Sequence, residues 1–489
     1  LGIFIFFELL MLSRRIYTIA LLEGFTTLAI QMIILRLTIP VTGSSVVVTS
    51  IFIGVILLAL SLGYYHGGLI ASRSTPDRIT EILGRILAVS GVRYLLVMVP
   101  YLREALARLM STSLPYELSL FAVAIALCFV PIYLASQTVP LLIELLPISS
   151  KGKSAGSIFF VSTIGSFAGS VLTTLVLFPY LGVFSTALAV CVLLVLLALM
   201  ARHRKALWRH IFSIVLVVIF VVYIWLMHSP YRMAGLLYRH DSAYQEIIVR
   251  DVQMRNKPMR LFHTNRSYAS GFDPETQTSP FPYIRHLVEL SKDPAYERIL
   301  LIGAAGFVYP LEVAKYDHVQ RIDAVDIDPA VREIAEEYFL QQPLSPKVHF
   351  IAQSARGALQ DMIRAGKKYD LIIMDAFLGQ SIPPELVTRE IMQDLAAVSS
   401  NGHIVRNMII DRSLSSTFAQ QFLRTIVDTY QTVYAYDANA EQGVSESTTN
   451  MMLATLAFSG YQQIIPSSGS IYTDDRNSAE IDVLAIRRE

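Results

Sequence analysis

The chain has 489 residues, of which 53% are hydrophobic and 16% charged, with a formal net charge of +1. That length calls for more than one domain, and the charged fraction is well below the roughly 25% of an ordinary soluble protein. The near-neutral balance gives no electrostatic reason to expect nucleic acid as a partner, and two cysteines, Cys128 and Cys191, both in apolar runs, exclude a disulfide framework.

The apolar residues are concentrated in 1–228, and the composition changes near His228-Ser229-Pro230. Leu1–Leu12 has no charged segment ahead of it and no clear small-residue cleavage site after it, so no cleavable signal is expected. A spanning helix needs about 20 mostly apolar residues. Candidate spans lie near 16–39, 46–71, 81–101, 117–146, 155–178, 181–201 and 209–228. Arg85 and Arg93 interrupt the third, and Pro131 and Pro140 predict a kink in the fourth. Gly165 and Gly169 form a Gly-x-x-x-Gly pair, read as ordinary close helix packing ahead of a dimer-specific contact. In the first span Glu23 and Gln31 share a helix face. They are read as interhelical hydrogen-bonding groups or as part of a substrate or ion pathway. Arg36, near the end of that span, can snorkel.

Arg14, Arg15, Arg73, Arg78, Lys151, Lys153, Arg202, Arg204 and Lys205 fall in alternate loops, which should therefore face the cytoplasm. With seven spans this counting puts the C-terminal half outside. The chemistry derived below needs a cytosolic metabolite, so the C-terminal domain is expected to be cytoplasmic on an inner-membrane protein. The two expectations conflict.

From Ser242 onward short strands appear. Ala243–Asp251 and Met259–His263 predict a small antiparallel sheet, followed by a helix over Pro282–Leu290. Strand-like runs at Arg298–Ile302, Arg321–Val325, Lys347–Ile351, Leu371–Met374 and His403–Met408 then alternate with helical patterns. The helices are predicted over Leu311–Lys315, Ala330–Leu340, Ala355–Ala365 and Pro384–Ser399. This rhythm predicts a doubly wound parallel sheet. The expected organisation is an all-α transmembrane bundle over 1–228 and an α/β Rossmann-like domain within 229–489. The latter has a small β-sheet subdomain at 242–290 and the Rossmann-like part at 298–489.

Doubly wound sheets bind ligands at the carboxyl ends of their strands. The first strand ends in Gly303-Ala304-Ala305-Gly306, and Gly303 allows a backbone to approach a ligand closely. Asp326 lies 23 residues after Gly303, near the spacing of an acid that holds a ribose hydroxyl pair. Asp326 or Asp328 could instead cap the helix starting near Pro329, and for Asp328 the cap is read ahead of a ligand contact. The third strand ends in Gln353-Ser354, with Ala355 opening the next helix. Asp375 ends the fourth strand, where a carboxylate can orient and deprotonate an amine, or merely bond loop amides.

On these residues the polar half resembles spermidine synthases, aminopropyltransferases with a methyltransferase-like fold. The whole chain is similar to proteins in which such a domain is fused to a multi-spanning membrane region. Glu23-Gly24-Phe25 through Gly43-Ser44-Ser45, the stretch Ser242–Ile247 and the ending Tyr472-Thr473-Asp474-Asp475 carry that similarity. The resemblance implies a decarboxylated S-adenosylmethionine donor, a small-molecule amine acceptor, a role in polyamine biosynthesis, and no metal. Gln245 would contact the donor, Tyr283 would serve the substrate, Asp326 would hold the ribose and Asp375 would activate the amine. Gly303, Ala304, Gly306, Ser354 and Ala355 would complete the donor site. A lipid bilayer is the expected environment, and a homodimer is left open.

Departures from the family pattern are equally legible. Gly306 stands where the family's glycine loop has an aspartate, and Gln353-Ser354 replaces a Gly-Asp pair. Leu378 replaces an acid that holds the diamine, and Ile284 replaces a polar residue. A polyamine in a low-dielectric crevice needs carboxylates, so putrescine is a doubtful acceptor. Gly306 would also tolerate the carboxylate of ordinary S-adenosylmethionine. An S-adenosylmethionine-dependent methyltransferase, or a non-catalytic nucleoside sensor on a membrane transporter, are therefore the alternatives.

Overall fold

The computed structural model describes residues 2–42, 46–97, 109, 116–146, 151–201, 218, 222, 234–377 except 243, 255, 256 and 266, 382–440, and 448–483 except 468, 480 and 481. The chain forms two compact units, Leu1–Arg232 and Met233–Glu489.

The first unit is helical: α1 (Gly2–Thr42), α2 (Val46–Ser72), α3 (Pro76–Val97), α4 (Tyr116–Ala124), α5 (Val130–Ser136), α6 (Thr138–Glu144), α7 (Lys151–Leu172) and α8 (Phe178–Met200). Among the described residues four stretches are long and apolar enough to cross a membrane: Ser13–Thr38, Val46–Ser72, Glu117–Glu144 and Gly152–Met200. The last contains two of the predicted spans, broken at Gly182, where φ is 74°. The third predicted span falls on α3, whose charged residues keep it out of this set. The seventh, 209–228, lies outside the described residues apart from Val218 and Val222.

Two π-helical turns, Ile125–Phe129 and Thr173–Leu177, explain the irregular helices. Pro131 and Pro179 each follow one of them. A proline ring clashes with the carbonyl four residues earlier, here that of Leu127 or Leu175, at the middle of each π turn. The wider turn moves that carbonyl aside.

Helices α1 and α7 cross with backbones in contact. A Cβ placed on Gly24 would lie 2.0 Å from the Ser162 carbonyl oxygen. One on Gly165 would lie 1.9 Å from that of Leu21, and one on Gly169 would lie 2.2 Å from that of Phe25. The Gly-x-x-x-Gly pair thus serves packing within one chain. Glu23 sits beside this crossing, buried, with Thr27 Oγ1 donating to Oε1 at 2.8 Å and Ser162 Oγ to Oε2 at 3.4 Å.

The second unit begins with a four-stranded antiparallel sheet in the order β1 (Leu236–Asp241), β2 (Glu246–Met254), β3 (Lys257–Thr264), β4 (Ser267–Phe272). Helix α9 (Pro282–Leu290) leads to the main sheet. Its parallel part runs β7 (Val348–Ala352), β6 (Arg321–Asp326), β5 (Arg298–Ile302), β8 (Leu371–Met374), β9 (Ile404–Asp411). The connecting helices are α10 (Val308–Val313), α11 (Ala330–Ile334), α12 (Ala355–Arg364), α13 (Arg389–Val398) and α14 (Thr417–Tyr430).

Alternation along the central strands sorts the two layers. Ile299 and Leu301 of β5 pack with α9, α10 and α11, whereas Leu300 and Ile302 pack with α12, α13 and α14. Leu371 and Ile373 of β8 face the first layer, and Ile372 and Met374 the second. Side chains pointing alternately up and down make such doubly buried strands continuous apolar runs.

The sheet is mixed and not wholly parallel. Beyond β9 it continues antiparallel through β11 (Thr448–Ala454), β10 (Tyr434–Asp437) and β12 (Gln462–Gln463). The predicted helix at Pro384–Ser399 is a 3-10 turn at Pro384–Leu386 followed by α13. The predicted Leu311–Lys315 helix starts earlier, at Val308.

Substituting Gly165 by Ala should force α1 and α7 apart and lower stability by about 1–3 kcal/mol, as overpacking does. Gly156→Ala, on the same helix with open space around it, should be neutral or better. Thermal unfolding of the detergent-solubilised chain measures both.

Candidate active site

Strands β5 and β8 are hydrogen-bonded neighbours, so their carboxyl ends lie side by side. Gly303 closes β5 with φ at 94°, and a Cβ there would lie 2.2 Å from the Asp375 carbonyl oxygen. Only glycine fits both the dihedral and the contact. The Asp375 amide in turn donates to Ile302 O at 2.8 Å. Ala305 and Phe307 adopt left-handed φ values of 42° and 57°, and so turn the loop sharply into α10.

At this end of the sheet lies a cavity of about 600 Å³. Of the residues singled out in the sequence, Gln245, Tyr283, Gly303, Asp326, Ser354, Ala355 and Asp375 line it. Ala304 and Gly306 do not. The Ala304 amide donates to Asp326 Oδ2 at 3.1 Å. Gly306 faces the small sheet, its amide donating to Ser270 Oγ at 3.1 Å. A Cβ at Gly306 would lie 2.4 Å from the Phe339 ring. An acidic side chain at 306 would therefore need the space of Phe339.

Asp326 ends β6. Its Oδ2 also accepts from the Ala305 amide at 3.4 Å, and Oδ1 accepts from the Asp328 amide at 3.0 Å. A carboxylate oxygen has two lone pairs, so Oδ2 is filled by its two amides and Oδ1 can still accept from a ligand in the cavity. Burial pushes its pKa up, against the pull of those amides. Asp328 points elsewhere. Its Oδ1 accepts from the Ala330 amide at the start of α11 at 3.1 Å, and Oδ2 accepts from Ser242 Oγ at 2.6 Å. Ser354 Oγ caps α12, accepting from the Gly357 amide at 3.2 Å. Ile284 packs into the core, and Leu378 lies outside the described residues.

Asp375 is the electrostatic centre. Asn407 Nδ2 donates to its Oδ1 at 2.8 Å, and the Tyr283 hydroxyl also donates to the carboxylate. Its setting deep among protein atoms outweighs these two hydrogen bonds and raises its pKa from 3.8 to about 7. Tyr283 is raised as well, by burial and then by the neighbouring charge, so it stays protonated as a donor.

Several lining residues escaped the sequence reading: Asn407, Asn439 and Asn450 on one edge, and Arg356 and Glu385. None carries a spacing signal. Arg356 has a structural task. Its Nη1 donates to Asp474 Oδ2 at 2.8 Å and its Nε to the Glu385 carbonyl at 3.1 Å. It thereby ties the Tyr472–Asp475 segment to the turn bordering the cavity.

The arrangement brings Gly303, Asp326, Gln353 and Ser354 to one cavity beside a carboxylate able to take a proton. The raised Asp375 value also has a consequence for folding. The folded protein holds this proton more tightly than the unfolded chain does. The contribution of Asp375 to stability should thus be most favourable below about pH 4, fall as pH rises towards 7, and level off above it. Asp375→Asn should remove that slope, gaining about 2–4 kcal/mol relative to the parent between pH 5 and 8. Paired thermal melts at the two pH values check this.

Residues 282–442 match the spermine/spermidine synthase domain model. A polyamine aminopropyltransferase of Vibrio vulnificus is 36% identical over 186 residues, which cover 37% of this chain and 62% of that protein. Polyamine aminopropyltransferase 1 of Hyperthermus butylicus is 24% identical over 220 residues, covering 43% and 70%. The crystal structure of a probable spermidine synthase from Corynebacterium glutamicum aligns with a TM-score of 0.39 and 18% identity, covering 50% of this chain and 96% of that one. The chain thus spans about three fifths of the Vibrio protein's length. Over residues 282–442 the chain is thus similar to the spermine/spermidine synthase domain, and its similarity to polyamine aminopropyltransferases covers 37% of its length in the Vibrio case.

Proposed function

We propose that the chain is a membrane-anchored aminopropyltransferase that moves an aminopropyl group from decarboxylated S-adenosylmethionine to an amine. The observation that carries this reading is Asp375, bonded by Tyr283 and Asn407, on the wall of a cavity that also holds Gly303 and Asp326.

The residues fit such a donor. Gly303 lets it approach the backbone, and the Asp326 carboxylate can accept from a ribose hydroxyl through Oδ1. Gln353 and Ser354 border the space for the base, and Ile327 adds an apolar surface. Asp375 takes the proton from the acceptor ammonium. The freed nitrogen lone pair attacks the propyl carbon next to sulfur, the carbon–sulfur pair leaves on sulfur, and methylthioadenosine is released.

Magnitudes favour a tuned carboxylate. A primary ammonium titrates near 10.4. Handing its proton to an aspartate of ordinary pKa 3.8 is uphill by about 9 kcal/mol, and to one at about 7 by roughly 5 kcal/mol. Burial of Asp375 removes nearly half of that deficit.

Gly306 favours a second reading, methyl transfer from ordinary S-adenosylmethionine. No acid stands there, and Phe339 occupies the neighbouring space. Titration calorimetry with S-adenosylmethionine, its decarboxylated form and methylthioadenosine separates the readings. Tighter binding of the carboxylated form would contradict aminopropyl transfer, and binding of none would exclude both.

The four apolar stretches support an inner-membrane placement, and a cytosolic donor calls for Met233–Glu489 on the cytoplasmic side. An even number of spans would reconcile this with the basic loops. A topology reporter fused after Glu489 tests it.

The expected kinetics are specific. kcat/KM should rise with pH to a plateau above about 7 as Asp375 loses its proton. Asp375→Asn should lower it by about 10²–10⁴-fold. An undiminished rate would remove Asp375 from the mechanism.

A further inference from the structure

We infer, building on the aminopropyl-transfer reading, that the acceptor is a primary amine whose far end is uncharged and hydrogen-bonding, an amino alcohol in chemical class. Asn407, Asn450 and Asn439 seat it.

Asn407 is only 4% exposed. Its Nδ2 is committed to Asp375 Oδ1 at 2.8 Å, while its Oδ1 is buried and has no hydrogen-bond partner among the described residues. A buried carbonyl oxygen without a donor is costly, and this one belongs to a residue on the cavity wall. An amine placed against Asp375 would supply the donor. One N–H would go to the carboxylate and a second to Asn407 Oδ1, aiming the nitrogen lone pair.

Strand register extends the site. Asn407 lies opposite Met452, and Asn450 lies opposite Ile409. Asn450 is thus the diagonal neighbour of Asn407 on the same face, about 7 Å away. The Ala438 amide donates to the Asn450 carbonyl at 3.1 Å, which brings Asn439 to the same edge. All three asparagines and Ile409 line the cavity.

Among the described residues no free carboxylate on this edge balances a second ammonium. Asp437 on β10 is engaged. Arg412 Nε pairs with its Oδ2 at 2.8 Å, while Thr449 Oγ1 and the Asn439 amide donate to Oδ1 at 2.6 and 2.9 Å. A cation removed from water needs a carboxylate, and amides offer only dipoles. A hydroxyl suits them, since it donates to an amide oxygen and accepts from an amide N–H. Glu385 also lines the cavity, but on the turn whose carbonyl Arg356 holds.

The test uses the full chain in lipid nanodiscs with decarboxylated S-adenosylmethionine. Methylthioadenosine release is followed with 4-aminobutanol or 1,4-diaminobutane as acceptor. The amino alcohol should be preferred at least tenfold in kcat/KM. Asn450→Asp, and independently Asn439→Asp, should shift that preference towards the diamine by about tenfold, with thermal melts confirming folding. Glu385→Gln should leave the preference unchanged. A parent protein that prefers the diamine, or one whose preference moves with Glu385→Gln, overturns the inference while leaving aminopropyl transfer standing. Release with neither amine overturns both.

Discussion

Gly303 and the Asp375 carbonyl occupy adjoining space that no side chain could share. That contact joins the ends of the two central strands, and the rest of the site follows from it. It turns the chain over the top of β5, directs the Ala304 and Ala305 amides onto Asp326, and leaves Asp375 at the cavity wall. The left-handed backbone at Ala305 and Phe307 disfavours this loop by roughly 1–2 kcal/mol per residue. Burial of Phe307 in the core offsets it.

The same device recurs in the helical unit. Gly24, Gly165 and Gly169 let α1 and α7 meet backbone to backbone, which draws the Ser162 hydroxyl towards Glu23. In both units an absent side chain fixes where a carboxylate sits. The consequences differ. Asp375 borders a cavity large enough for a substrate, whereas Glu23 is enclosed by neighbouring hydroxyls.

Much of the second unit was legible in the sequence because its central elements are short apolar runs with hard boundaries. Arg298–Ile302 and Leu371–Met374 are bounded by Gly303 and Asp375, and Pro282 sets the start of α9. The antiparallel extension, β1 and β4 were not read. They are short or carry polar faces, and their pairing is decided by partners distant in sequence. The cavity acids were visible through strand-end position. The amides Asn407, Asn439 and Asn450 were not, because asparagine has no fixed spacing to a ligand and only the β9–β11 register assembles them. Gly306 shows the limit most clearly. The sequence marks a missing acid, and the fold adds that Phe339 stands where its side chain would go.

The central claim is that Asp375 is a carboxylate held near neutrality by its surroundings, in a site that binds a nucleoside. Infrared difference spectroscopy, parent minus Asp375→Asn, with methylthioadenosine present, reads that carboxyl directly. The account requires a protonated C=O stretch that disappears with a midpoint near pH 7. A group already ionised at pH 5, or a spectrum unchanged by the nucleoside, would contradict it.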